Sequence, residues 1–162
     1  MTDAADRRRQ AERLWQQGYA HHMRQEWAEA IRCYQESLRV EPTAEAHTFL
    51  GWAYSAQDRL DDAIAECHKA IAVDPDFGNP YNDIGVYLMQ QGRPEEAIPW
   101  LERAKQAPRY EPRQYPYMNL ARIYLQRGEW PRALREAEGA AAAAPRDPGA
   151  RTLLHEIRAR LN

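Results

Sequence analysis

The amino-acid sequence predicts an all-α solenoid: one helix–turn–helix unit repeated four times and closed by a capping helix. Three observations carry this. Gly18, Gly51, Gly85 and Ala121 form a column of small residues separated by 33, 34 and 36 positions. Ala30, Ala63, Ala97 and Ala133 form a second column with the same separations, always twelve residues after the first. Twelve residues further stand Pro42, Pro75, Arg109 (with Pro108 just before it) and Pro145. The interior of the unit is fixed while its joints vary, as packing fixes a helix pair and loops absorb insertions.

Residues 1–10 read as a polar N-terminal extension of the first helix, with the run Arg7-Arg8-Arg9 on a solvated helical start. The first unit, 11–42, places Gly18 on one helix and Ala30, Ile31, Tyr34 and Leu38 on the other. The second, 44–75, sets Leu50 and Tyr54 around Gly51, with Ile64 and Ile71 opposite. In the third, 78–109, Ile84 and Leu88 flank Gly85, and Pro99 removes one hydrogen bond early in the second helix. The fourth, 114–145, has Leu120 and Tyr124 around Ala121, and Leu134 opposite. Residues 147–162 repeat the first-helix spacing with Ala150, Leu153, Leu154, Ile157 and Leu161, predicting a cap. A glycine in a helix interior costs about 0.8–1 kcal/mol against alanine. Three such sites imply that the missing side chains admit a closely packed partner helix.

Composition narrows the function classes. Net charge is −2 with 22 basic and 24 acidic residues interspersed, which gives no global basis for nucleic-acid or membrane binding. No apolar run approaches bilayer length, and the polar N-terminus does not read as a secretory signal, so a cytoplasmic protein is expected. Only Lys69 and Lys105 are lysines among the 22 basic residues, a bias that suggests a GC-rich bacterial genome. Cys33 and Cys67 make no disulfide framework, and Cys67 reads as a small core-filling hydrophobe. His21-His22 and Cys67-His68 lack the i, i+4 spacing that zinc favours on a helix, so no metal is expected. There is no phosphate loop, nucleophile elbow or HExxH pair. Asp61-Asp62 and Glu95-Glu96 open second helices, where negative charge suits the dipole. No cofactor and no enzyme activity are expected.

These residues resemble the tetratricopeptide-repeat family. Leu50-Gly51, Tyr54, Ala63, Ala70 and Pro75 match its degenerate signature in the second unit, and Tyr117, Leu120, Tyr124, Ala133, Ala140 and Pro145 in the fourth. Departures are Gln17, His21, Cys67 and Lys105. The resemblance implies a right-handed superhelix with a concave wall built mainly from the first helices, and a protein or peptide partner. Set one place off the core stripe, that wall is expected to carry Glu12, Trp15, Tyr19, His22 and Met23 from the first unit. The second supplies Glu45, Thr48, Trp52 and Ser55, the third Asn79, Asn82, Val86 and Met89. Tyr115, Met118, Arg122 and Leu125 follow from the fourth. Trp15, Tyr19, Trp52, Met89 and Met118 are the expected apolar anchors, and Asn79, Asn82 and Arg122 the orienting groups. Heat-shock co-chaperones of the family clamp acidic tails with Lys, Asn and Arg. Here those places hold Trp15, Tyr19, Phe49, Asn79 and Asp83, without a cation, so that mode is excluded.

A second, shorter resemblance lies in the long third joint. Glu111-Pro112-Arg113 with Pro116 and Tyr117 is similar to the Glu-Pro-Arg-x-x-Pro-aromatic joint of class II type III secretion chaperones. The expected function is a non-catalytic adaptor or scaffold that holds a peptide or partner helix in the concave groove. The alternatives are a cytoplasmic chaperone for a secreted client and a self-assembling scaffold in which copies of the chain pair end to end.

Overall fold

The computed structural model describes residues 2–161 and consists of helices throughout. Met1 and Asn162, the outer ends of the expected extension and cap, lie outside the described residues. Four antiparallel pairs follow one another: α1 (Thr2–Met23) with α2 (Trp27–Val40), and α3 (Ala44–Ala56) with α4 (Leu60–Val73). Then come α5 (Asn79–Gln90) with α6 (Pro94–Gln106), and α7 (Gln114–Gln126) with α8 (Trp130–Ala143). The last helix, α9 (Pro148–Leu161), lies on α8 and α7. The first helices also touch in succession, α1 to α3 to α5 to α7 to α9, which makes them one continuous face.

The small-residue columns work by complementary bulk. Sixteen residues after each first-column position stand Tyr34, Cys67, Leu101 and Ala137, all fully buried. A methyl group built on Gly18 would lie 2.7 Å from the Tyr34 ring, and one on Gly85 2.5 Å from Leu101. At Gly51 the closest approach is the Ala63 carbonyl oxygen at 3.1 Å, with the Cys67 sulfur at 3.7 Å. Cys67 therefore fills the core place expected of it. The fourth unit substitutes Ala121 for glycine and meets only Ala137. Its bulk comes from Tyr117, whose ring would stand 2.6 Å from a methyl on Gly139.

Each pair is closed by the same three-residue turn, a helix-ending motif with one left-handed residue. That residue is Gln25 (φ 60), Asp58 (φ 59), Gly92 (φ 73) or Gly128 (φ 73). The residue after it donates its N–H five places back: Glu26 to His21 (3.0 Å), Arg59 to Tyr54 (3.0 Å), Arg93 to Leu88 (2.9 Å) and Glu129 to Tyr124 (2.9 Å). Its carbonyl then accepts the first bond of the next helix, from Ala30, Ala63, Ala97 or Ala133. The second alanine column thus begins where the turn ends.

The long joint between α6 and α7 docks on the joint between α4 and α5. Gly78 N–H donates to the Arg109 carbonyl (2.9 Å), and Arg109 N–H to the Asp76 carbonyl (3.1 Å). Tyr110 covers Gly78, where any side chain would collide with it, and joins Tyr81, Ala104 and Ala107 in a small second core. The Arg109 guanidinium reaches Asp74 and Glu45, while Arg113 binds the Lys105 and Ala107 carbonyls at the end of α6 (2.8 and 3.0 Å). The extra residues are spent on tying two joints together.

Stability measurements on four variants check these assignments. Gly85→Ala should lose up to about 2 kcal/mol in urea unfolding, overpacking exceeding the gain in helix propensity. In a Leu101→Ala background the same change should become stabilising, because the obstructing side chain is gone. Gly92→Ala should cost about 1 kcal/mol although nothing lies within 4 Å of its added methyl, since the penalty is the left-handed backbone. Gln25→Gly should stabilise for the same reason.

Candidate functional site

The continuous face of first helices divides into an aromatic half and a polar half. On α1 and α3, Trp15 stacks on Tyr19 (centroids 5.7 Å), and both meet the Phe49 ring edge-on at 5.1 and 5.7 Å. Phe49 continues to Trp52 at 4.8 Å. His22 sits among Phe49, Trp52, Trp27 and Tyr34, and burial lowers its pKa, which keeps the ring neutral near pH 7. Tyr19 and Met23 remain 40% and 65% exposed. The cluster is therefore a built wall with open edges. Beside it, Arg8, Ala11, Glu12, Trp15 and Ser37 border a cleft of about 410 Å³ that reaches Glu41, Thr43 and Glu45.

The polar half begins at Trp52. Its indole N–H donates to the Asp83 carboxylate across the α3–α5 contact (2.6 Å). Asp83 is buried, and burial pushes its pKa up to about 7 against hydrogen bonding from Trp52 and Asn82. One residue along α5, the Asn82 side-chain oxygen accepts from Asn119 on α7 (3.1 Å). The Asn119 oxygen in turn accepts from the Arg122 guanidinium (3.1 Å). Tyr115 is 44% exposed beside this chain, and Asn79 is partly buried with its amide donating to the Glu111 carbonyl (3.4 Å). Val86, Met89 and Leu125 are partly buried.

The expected wall thus needs correcting at three residues, Asn82, Met118 and Thr48. Asn82 and Met118 are only 6% and 4% exposed, so neither is free on an open surface. Both face the next first helix: Asn82 binds Asn119, and the Met118 methyl would stand 3.2 Å from a methyl on Gly149 of α9. Thr48 at the same register is also buried, its hydroxyl donating to the Ala44 carbonyl (2.7 Å). Trp15 shares this register and packs on Phe49. Trp52 is a wall residue and a structural donor at once. Sequence reasoning met Phe49 and Asp83 only as clamp places without a cation and left the column Phe49, Asp83 and Asn119 out of the wall, although its separations of 34 and 36 match the repeat.

The tetratricopeptide-repeat profile matches residues 16–77 and again residues 88–157. The chain belongs to the tetratricopeptide-repeat family. Among solved structures it superposes on PilF of Pseudomonas aeruginosa with a TM-score of 0.87 at 24% identity, covering 96% of this chain and 70% of that one. PilW, described as a type IV pilus biogenesis factor, gives 0.81 at 20% identity, covering 93% and 69%. In sequence, 97 residues are 32% identical to the small glutamine-rich tetratricopeptide repeat-containing protein 2 of Saccharomyces cerevisiae. That match takes in 59% of this chain but only 28% of the yeast protein. These repeats form a protein–protein interaction module. Among the described residues, no helix is long and apolar enough to cross a membrane.

The buried carboxyl makes a pH prediction. Its folded pKa lies above the unfolded value, so the folded state holds the proton more tightly and stability falls as pH rises from about 4 to about 7. Asp83→Asn keeps an acceptor for Trp52 and should abolish that fall, melting higher than the native chain at pH 8 and close to it at pH 4. Glu66 acts with the opposite sign and in another window. Burial raises its pKa, but bonds from His47 (2.6 Å) and Lys69 (2.7 Å) outweigh it and hold the carboxyl low. Its contribution is therefore lost only below about pH 4.5.

Proposed function

We propose that this chain is a non-catalytic adaptor that holds an extended peptide or partner helix along the face of its first helices, anchored by apolar side chains. The observation that carries this reading is the aromatic wall of Trp15, Tyr19, Phe49 and Trp52. It is preassembled by ring contacts between two repeats, yet leaves Tyr19 and Met23 open at its edge. Rigid aromatics lose little entropy on binding, and such partly desolvated clusters are where interface energy concentrates. Neighbouring Val86, Met89 and Leu125 extend the apolar strip toward the C-terminal repeats.

Within the Glu111-Pro112-Arg113 joint Arg113 is occupied in holding the end of α6, and Arg109 and Tyr110 just before it hold the neighbouring joint, so the motif lends no separate weight to a secretion-chaperone role. Substituting Trp52 is a poor test of the wall because its N–H also satisfies buried Asp83. Tyr19 and Met23 are the better test. Peptides selected from a random display library on the native protein should bind Tyr19→Glu/Met23→Glu at least about tenfold more weakly, with helix content retained and with Met23→Glu alone leaving the melting temperature unchanged. Equal binding by the double variant would place the contact surface elsewhere.

A further inference from the structure

We infer that Arg122 reads an acidic side chain of the bound segment, so that the partner carries an Asp or Glu between its apolar anchors. The inference rests on the adaptor reading above and adds the chemistry of the partner. Arg122 is exposed on α7, at the register held by Tyr19, Trp52 and Val86 on the preceding first helices. It is the one cation among those four positions.

Its setting is what points to a ligand. Asn82 and Asn119, both more than nine-tenths buried, form a neutral amide chain that ends on the guanidinium. Burying two asparagines where the first and second repeats meet through the Trp15–Phe49 ring contact gives up apolar packing. In return the chain fixes one face of Arg122 while leaving its charge uncompensated. No ion pair engages Arg122 among the described residues; its bond is to the Asn119 amide. Arg13, Arg32 and Arg39 are likewise without an ion pair among the described residues, but no buried side chain holds them, whereas Arg109 on the joint meets Asp74 and Glu45, and Arg127 just beyond α7 meets Glu95 and Glu129. A guanidinium held by neutral acceptors keeps its remaining N–H donors for a carboxylate, the group its fork fits.

Geometry favours an internal side chain over a chain terminus. At the register of Tyr19, Trp52 and Val86 a single cation is offered, and the face continues on both sides of it, to Val86 and Met89 on α5 and to α9 beyond. Glu156 of α9, exposed, stands nine residues after the capping Asp147, as Trp52 stands nine after the capping Thr43. That carboxylate sits at the equivalent place of the next helix and repels a second acid there, so the acid must fall at Arg122.

Parallel selections of random dodecapeptides on the native protein and on Arg122→Glu test this. The native pool should be enriched in Asp or Glu beside apolar residues, and the Arg122→Glu pool in Lys or Arg. A chosen acidic binder should lose about tenfold or more in affinity for Arg122→Gln, measured by fluorescence anisotropy. Amidating its C-terminus should change nothing, and Glu156→Gln should not weaken it. The same motif from both pools, or loss of binding on amidation, overturns the inference while leaving Tyr19-dependent binding intact. Binders that ignore Tyr19→Glu, or no binders at all, overturn the adaptor reading and this inference with it.

Discussion

The close approach of the two helices within each repeat governs everything else in this molecule. Where Tyr34, Cys67 or Leu101 projects, the opposite helix carries no side chain, and where it carries Ala121 the projection shrinks to Ala137. Where the small position grows to Ala121 its partner is small as well, as expected of an interior packed to crystal-like density. Because each pair keeps nearly the same geometry, successive pairs stack with a regular offset and the first helices align into one face.

That face is held together differently at its two ends. Between α1 and α3 the contact is ring on ring, with Trp15, Phe49 and Trp52 supplying apolar area. Between α3, α5 and α7 it is polar, through the Trp52–Asp83 and Asn82–Asn119 bonds. Burying Asp83 costs stability when it is charged, and burying two asparagines gains little, so neither device is the most stable choice. Both, however, fix the rotation of one first helix against the next, which apolar contacts leave softer. The face proposed above to hold a partner is therefore preformed, which would lower the ordering cost of binding.

The repeat was legible in the sequence because its strongest constraints are local and periodic. Gly18, Gly51 and Gly85 had to be small, Ala30 and its equivalents had to follow at a fixed distance, and both facts survive as spacing. The turn was not legible in the same way. Its left-handed residue is Gln25, Asp58, Gly92 or Gly128, and only the two glycines announce that conformation. The surface was half legible. Tyr19, Met23 and Tyr115 are exposed, whereas Asn82 and Met118 turn toward a neighbouring first helix. Periodicity within one helix gives its buried stripe, but the width of that stripe depends on how far the next repeat overlaps it. The docking of Tyr110 on Gly78 was hidden for another reason: it joins two loops of different length, and loops carry no period.

The most direct measurement follows the tryptophan indole N–H resonances during titration with a bound peptide. Trp15 and Trp52 lie on the face of first helices, while Trp100 packs on His68 and Tyr81, and Trp130 lies under Arg160 at the start of α8. The indole signals of Trp15 and Trp52 should shift with ligand while those of Trp100 and Trp130 stay in place. The reverse pattern would show that partners are held on the second helices, and the account of the first-helix wall would fail.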